Sequence, residues 1–229
     1  MSNLKTWGRI IRDIEETGAY YERVNKVISL GYGDKLRYLA CREIVDGNIL
    51  DAGAGSGLLT YRILVSKSDV YVIGLDASYS LLKSSLNNLK IFLDRYDAVV
   101  GIFESPPFRE GSLDAVYTAY AVRDSINHLE AIRNLSKVIR DGGVFIDVDI
   151  GNPDNRIISA ILRIYIKYMV PLIAALISKN VFNPWYSLIE TIYRTPSNRE
   201  LILICRKFFK KVLFKKYAAS MLYLLKCLK

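Results

Sequence analysis

Read for hydrophobic periodicity, the chain falls into three stretches. Over the first 45 residues apolar positions recur at helical spacing. Leu4 to Glu16 predicts a helix ending at Gly18, with Ile10, Ile11 and Ile14 on one side. A second runs from Tyr20 and breaks at Gly31 and Gly33, and a third follows from Asp34, a candidate N-cap, to about Val45. From residue 48 to residue 149 the period alternates. Short β-type runs at 48–51, 70–75, 98–103, 113–120 and 144–149 are separated by helical stretches at 58–65 and 80–92. A further helix opens at Asn127, with Glu130 completing a capping box, and Arg140-Asp141-Gly142-Gly143 forms the turn into the fifth strand. Such alternation calls for a parallel sheet with helices on both faces.

Past residue 150 the alternation stops. Two helical stretches, with a break expected at Pro171, lead to a proline-marked turn at 184–196. A helix from about Asn198 and two strands, 212–217 and 220–226, complete the chain. The expected fold class is α/β: a doubly wound, mostly parallel seven-stranded sheet in one domain, 1–229. A helical N-terminal cap over 1–47 and a helical insertion over 150–197 would cover the active site.

Composition narrows the class. With 51 % apolar and 24 % charged residues over 229 positions, the chain can bury a continuous core. Cys41, Cys205 and Cys227 are odd in number and far apart, which argues against a disulfide framework or zinc site and for a reducing, cytoplasmic setting. No secretory signal is visible, because Lys5, Arg9, Arg12 and Glu15 precede any long apolar run. The greasiest region, 157–178, is interrupted by Arg163 and Lys167. Its uncharged remainder falls short of the roughly 20 residues a spanning helix needs, so it reads as a buried or interfacial helix pair. A net charge of +9 favours an anionic partner or simply a soluble surface, since the charges are spread along the chain. Their one dense cluster, 206–216, is interleaved with Phe208, Phe209 and Phe214.

The chemistry is carried by Leu50-Asp51-Ala52-Gly53-Ala54-Gly55-Ser56-Gly57, between a strand and a helix. Its glycines permit a tight turn and close ligand approach. A nicotinamide-type loop is the obvious competitor, but Leu58 stands where its last glycine belongs. Asp51 would also repel a pyrophosphate, whereas it suits a cofactor bearing an ammonium and a sulfonium. Asp76 ends the next strand, about 20 residues on, where a carboxylate can accept both hydroxyls of a ribose. The bland alternative makes Asp51 and Asp76 helix caps only.

These residues resemble motif one and the second-strand acid of class I methyltransferases. The segment Gly101 to Asp124 is similar to that of the ubiquinone/menaquinone-biosynthesis C-methyltransferases, with Ala121-Val122-Arg123-Asp124 in place of their glycine-leucine-arginine-asparagine. Tyr21, Asn25, Ser29 and Gly31 fit the family's N-terminal spacing. Tyr165 with Pro171-Leu172-Ile173, and Leu188, Glu190, Ile192 and Pro196, match two later segments. The resemblance implies the Rossmann-like methyltransferase fold and S-adenosylmethionine as cofactor. Asp51, Gly53, Gly55, Ser56, Gly57, Asp76 and Ala77 would hold it, and Ile102, Phe103 and Ala119 would line it. Two departures stand out. Ile102 replaces an Asp or Asn that binds the adenine amino group, a contact left to Glu104 or backbone atoms, and Asp124 replaces an Asn.

The resemblance further implies C-methylation of a quinol or similar apolar molecule. Arg123 would stabilise a phenolate or orient a water, Tyr21 and Asn25 would hydrogen-bond the quinol oxygens, and Asp124 would accept from them. His128, the lone histidine, sits in the first turn of its helix and reads as structural or exposed. The apolar insertion suits a greasy tail, and Arg156, Arg163, Lys167 and Lys179 suit peripheral contact with an anionic membrane. No nucleic-acid module is evident, and a homodimer is compatible with the sequence. Two other readings stay open: a methyltransferase of this fold acting on another small molecule or lipid, and a cofactor-binding protein without catalysis.

Overall fold

The computed structural model describes residues 8–9, 12–13, 29, 31–178 and 186–229. The N-terminal helix read over Leu4 to Glu16 and most of the one from Tyr20 lie outside these residues. The described chain begins in earnest with α1 (Tyr32–Ala40), which starts after Gly31 rather than being capped by Asp34. Asp34 sits in the first turn instead, pairing with Arg62 at 3.2 Å.

Seven strands follow: β1 (Gly47–Ala52), β2 (Val70–Asp76), β3 (Tyr96–Val100), β4 (Leu113–Ala119), β5 (Ile139–Ile150), β6 (Lys211–Tyr217) and β7 (Leu222–Leu228). Their order across the sheet is β3-β2-β1-β4-β5-β7-β6. The β1–β2, β1–β4, β2–β3 and β4–β5 pairs are parallel, and β7 runs antiparallel to both its neighbours. The expected mostly parallel, seven-stranded doubly wound sheet is the observed one.

Side-chain alternation explains why both faces are covered. Ile49, Val72 and Ile146 point into one buried layer, packed with Leu36, Leu59 and Ile63 from α1 and from α2 (Leu58–Ser66). Their neighbours Leu50 and Phe145 point into the other, with Ile132 and Leu135 from α4 (His128–Val138) and Leu201 and Cys205 from α8 (Asn198–Cys205). Period-two burial over strands buried on both sides forces this two-layered core. The remaining crossover helix, α3 (Tyr79–Asn88), follows β2 and is capped by Ser78, whose hydroxyl accepts from the Leu81 N–H.

Several features differ from the sequence reading: β5 already starts at Ile139, so the expected turn at Arg140 to Gly143 lies within it, and the last strand is Leu222–Leu228 because Ala218–Ser220 forms a short helical turn. Three further differences have a local reason. The third strand ends at Val100, because Ile102 turns back to bridge Ser105. The capping box at Asn127 is only half made. The Asn127 side chain accepts from Leu129 and Glu130, but the Asn127 N–H donates to Glu104 rather than to Glu130. The reciprocal box lies at Ser197 and Glu200, opening α8. Finally, Pro171 does not break the insertion. Helix α5 (Arg156–Ile164) runs through a π-helical turn (Tyr165–Met169) directly into α6 (Val170–Ser178). The widened turn absorbs the missing proline N–H and its ring, so the rod stays continuous. Helix α7 (Tyr186–Arg194) returns beside it, with Ile192 packed against Leu162, Ile166, Val170 and Ala174.

Candidate active site

Strand order reverses direction at β1: the chain moves outward through β2 and β3, then crosses back to place β4 on the other side. Ligands of open α/β sheets bind at such a switch point, beyond the carboxyl ends of the strands. A cleft lies there. Its floor is the glycine-rich loop, whose Gly53 and Ala54 N–H groups both donate to the Leu75 carbonyl, at 2.7 and 3.1 Å. Gly53 has φ +79, and a Cβ built on it would stand 2.2 Å from the Ala121 side chain. Any larger residue would therefore push apart the loops after β1 and β4. Gly55 has φ +52 and open space where a side chain would be, so its backbone faces the cleft.

Asp76 closes one side. One carboxylate oxygen accepts from the Gly55 N–H at 2.9 Å, the other from the Ser78 N–H at 2.9 Å. These bonds anchor and orient the carboxylate in the cleft wall. Ser56, Ala77, Ile102, Phe103 and Ala119 line the cleft, and Leu81 adds a further apolar wall.

Two residues expected to hold the cofactor stand outside the cleft wall. Asp51 is completely buried beneath the loop and is not part of the cleft wall. It accepts the Thr60 hydroxyl at 2.6 Å, its other oxygen is without a partner, and burial pushes its carboxyl up to about 6. Strand pleat is the reason: Asp51 points into the sheet's interior rather than off its end. Gly57 is likewise not in the wall; with φ +88 it caps α2 and packs on Leu89 and Ser85. Glu104 lines the cleft, but its carboxylate accepts from the Ile126 and Asn127 N–H groups, at 2.7 and 3.0 Å.

A second cavity adjoins the first and shares Arg37 and Tyr120 with it. Its walls are almost wholly apolar: Ile150, Leu162, Ile166, Val170, Met221 and Leu222, with Tyr32 and Tyr165. At the junction the Arg37 guanidinium lies 4.9 Å from the centre of the Tyr120 ring. Tyr120 is held at φ 61, a left-handed conformation costly for an aromatic residue and kept by its surroundings. Neither residue carries a local sequence signal. Arg37 is one of many basic residues on helical stretches, and Tyr120 one of sixteen tyrosines.

Arg123 and Asp124 sit between the cavities, on a short helical turn after β4. Arg123 is buried, donating to Asp149 at 2.7 Å and lying 3.6 Å from Asp124. Its charge is balanced by two carboxylates, so the expected phenolate-stabilising role does not fit this geometry, and Arg123 instead holds the turn in place. Asp124 faces the cofactor cleft, and Arg123 lines the apolar chamber. Burial pushes the Asp124 carboxyl up to about 6; Arg123 opposes the shift and Asp149 adds to it. Ser29 and Tyr165 both line the chamber, whereas Tyr21 and Asn25 lie outside the described residues. His128 is structural: burial, helped by the Arg194 charge, lowers its pKa to about 4, so it stays neutral.

The groups in the first cleft fit S-adenosylmethionine: an anchored carboxylate for a ribose diol, exposed loop backbone, and apolar walls for a flat base. Comparison with known proteins agrees. The ubiquinone/menaquinone biosynthesis C-methyltransferase UbiE of Syntrophotalea carbinolica is 27 % identical over 69 % of this chain and 68 % of its own length. The UbiE of Geotalea uraniireducens is 24 % identical over 87 % of each. The demethylmenaquinone methyltransferase of Mycolicibacterium vanbaalenii is 25 % identical over 79 % of this chain and 77 % of its own. Among solved structures, an SAM-dependent methyltransferase of Thermotoga maritima superposes with a TM-score of 0.66 at 15 % identity, covering 95 % of this chain and 99 % of that one. An O-methyltransferase family protein of Burkholderia thailandensis gives 0.65 at 12 %, covering 100 % and 68 %. The model of the ubiE/COQ5 methyltransferase family matches residues 8–229. This chain is an S-adenosylmethionine-dependent methyltransferase and belongs to the ubiE/COQ5 methyltransferase family.

Proposed function

We propose that the methyl acceptor is a quinol bearing an apolar tail, methylated on a ring carbon. The observation that carries this reading is the meeting of the two cavities: the cofactor cleft and the apolar chamber share Arg37 and Tyr120 in their walls. The sulfonium of S-adenosylmethionine supplies an electrophilic methyl, and the chain's own residues position the acceptor against it. The chamber walls take the tail. Arg37 lies within reach of both cavities and offsets the charge of an ionised ring hydroxyl, which makes the neighbouring carbon nucleophilic. Tyr120 holds the guanidinium by stacking beneath it. Asp124 takes the proton that the ring carbon must release, because a carboxyl titrating near 6 is a charged base at neutral pH. Arg123 and Asp149 keep that carboxylate in place. An acceptor of this kind dissolves in a bilayer, so the reading includes peripheral contact with a membrane.

The test is incubation with methyl-labelled cofactor and a tail-bearing demethylated quinol, with the product's methyl position read by mass fragmentation. Label on a ring carbon is the expected result; label on oxygen, or none, overturns the reading. Turnover should rise with pH through about 6 as Asp124 loses its proton. Asp124→Asn should remove that step and lower kcat by roughly 100-fold. An unchanged profile in this variant would mean that the proton leaves by another route.

A further inference from the structure

One surface has no role in the chemistry above: the outward face of the rod formed by α5, the π-helical turn and α6. Ile157, Ile161, Ile164, Tyr168, Leu172 and Leu176 are all exposed on it, Ile157 and Leu176 by more than 70 %. Their spacing of three and four residues makes a single stripe along the rod. Leu162, Ile166, Val170 and Ala174, at the intervening positions, are buried against the domain. The rod is thus apolar on two opposite sides, only one of which the described fold covers.

We propose that this stripe docks on the surface of an anionic lipid bilayer, and that the acceptor's tail passes from the bilayer into the chamber beside it. This rests on the quinol reading above and names the partner of that same site.

Charge selects the occupant. From Arg156 to Ser178 the rod carries Arg156, Arg163 and Lys167 and no Asp or Glu. Arg163 is held over the Tyr193 ring at 4.7 Å, while Arg156 and Lys167 are exposed. On a regular helix these three cations share one flank of the stripe, where anionic headgroups would meet them as the apolar side chains enter the acyl boundary. By length and composition alone, Arg156–Ile177 could cross a bilayer. Its buried face is packed against Ile192 of α7, so the rod stays with the domain and lies in the membrane plane. Continuity with the site is direct, because Ile161 is both part of the exposed stripe and part of the chamber wall. A second copy of the chain is the competing occupant.

The experiment is flotation of the full chain with vesicles of phosphatidylcholine alone or mixed with phosphatidylglycerol. The wild type should float with the anionic vesicles and be released by salt. Ile157→Ser, Ile164→Ser and Leu176→Ser combined should cut the bound fraction at least about tenfold. Their side chains are exposed and outside the chamber wall, so thermal unfolding should not change. If the triple variant does not fold, Lys167→Glu, which should weaken binding to anionic vesicles alone, decides instead. Turnover on an acceptor embedded in vesicles should fall with binding, while turnover on a tail-less soluble quinol stays level. A wild type that never floats overturns the docking surface, and so does one that sediments as a dimer dispersed by the triple variant. Neither result touches the quinol reading, which stands or falls on the soluble acceptor.

Discussion

The cofactor cleft and the apolar chamber share a wall, Arg37 and Tyr120, yet they are assembled in opposite ways. The cleft is made mostly from loops that directly follow β1, β2, β3 and β4, so each contributor is positioned by the strand before it. Backbone hydrogen bonds hold it: Gly53 and Ala54 to Leu75, Gly55 and Ser78 to Asp76. The chamber draws on residues from Ser29 to Leu222, brought together from α1, β4, β5, the α5 rod and the β6–β7 hairpin. Side-chain packing of the α5 rod closes it, beside the backbone pairing of Ile150 with Leu222. A backbone-built site tolerates little change, whereas a packing-built one can be reshaped for a different acceptor.

The sharpest way to break the cleft is Gly53→Val, whose side chain would collide with Ala121 and Phe103 at a backbone angle that valine avoids. Loss of measurable S-adenosylmethionine binding in calorimetry is expected; retained binding would mean that the loops can part. Next in size is Arg123→Met, at the seam of the two regions. It strands the carboxylates of Asp149 and Asp124, and about 3–5 kcal/mol of stability should be lost in chemical denaturation. A much smaller loss would mean that one of the two carboxyls is already protonated.

Asp51→Asn sharpens the account of the cleft floor. The carboxyl's pKa is raised from 3.8 to about 6 in the fold. Its contribution is therefore fully present below the unfolded value and lost as pH rises through about 6. The asparagine variant should thus be more stable than wild type above pH 6, by roughly 2–3 kcal/mol at most, with the gain vanishing near pH 4. An accompanying loss of cofactor affinity would show that Asp51 acts on the ligand from beneath the loop. The smallest expected effect is in the chamber. Tyr165→Ala should raise the acceptor KM about tenfold, one lost aromatic contact, and leave the cofactor Kd unchanged. A change in both constants would mean that the two regions are coupled through more than Arg37 and Tyr120.

How far each region was legible follows from how it is built. The glycine loop and Asp76 were readable because turn chemistry and strand ends are local properties, whereas Ile102, Phe103 and Ala119 were implied only by the family resemblance; the strand order gathers them all. Asp51 was legible as an acid at a strand end but not as a buried one, since the pleat decides which way it points. Arg37 and Tyr120 gave no signal, because their importance comes only from meeting each other. Pro171 reads as a break to any local rule, yet a π-helical turn just upstream makes room for it.

By itself the sequence determined the alternation of strand and helix, the seven-stranded α/β class and the cofactor loop, because periodicity and glycine placement act within a few residues. Only the tertiary structure decided that Arg123 is neutralised, that Asp124 is poised near neutrality and that a continuous apolar rod borders the acceptor chamber. Burial and charge pairing are properties of the surroundings, and those surroundings come from other elements: Asp149, which pairs with Arg123, lies 26 residues further along, on β5.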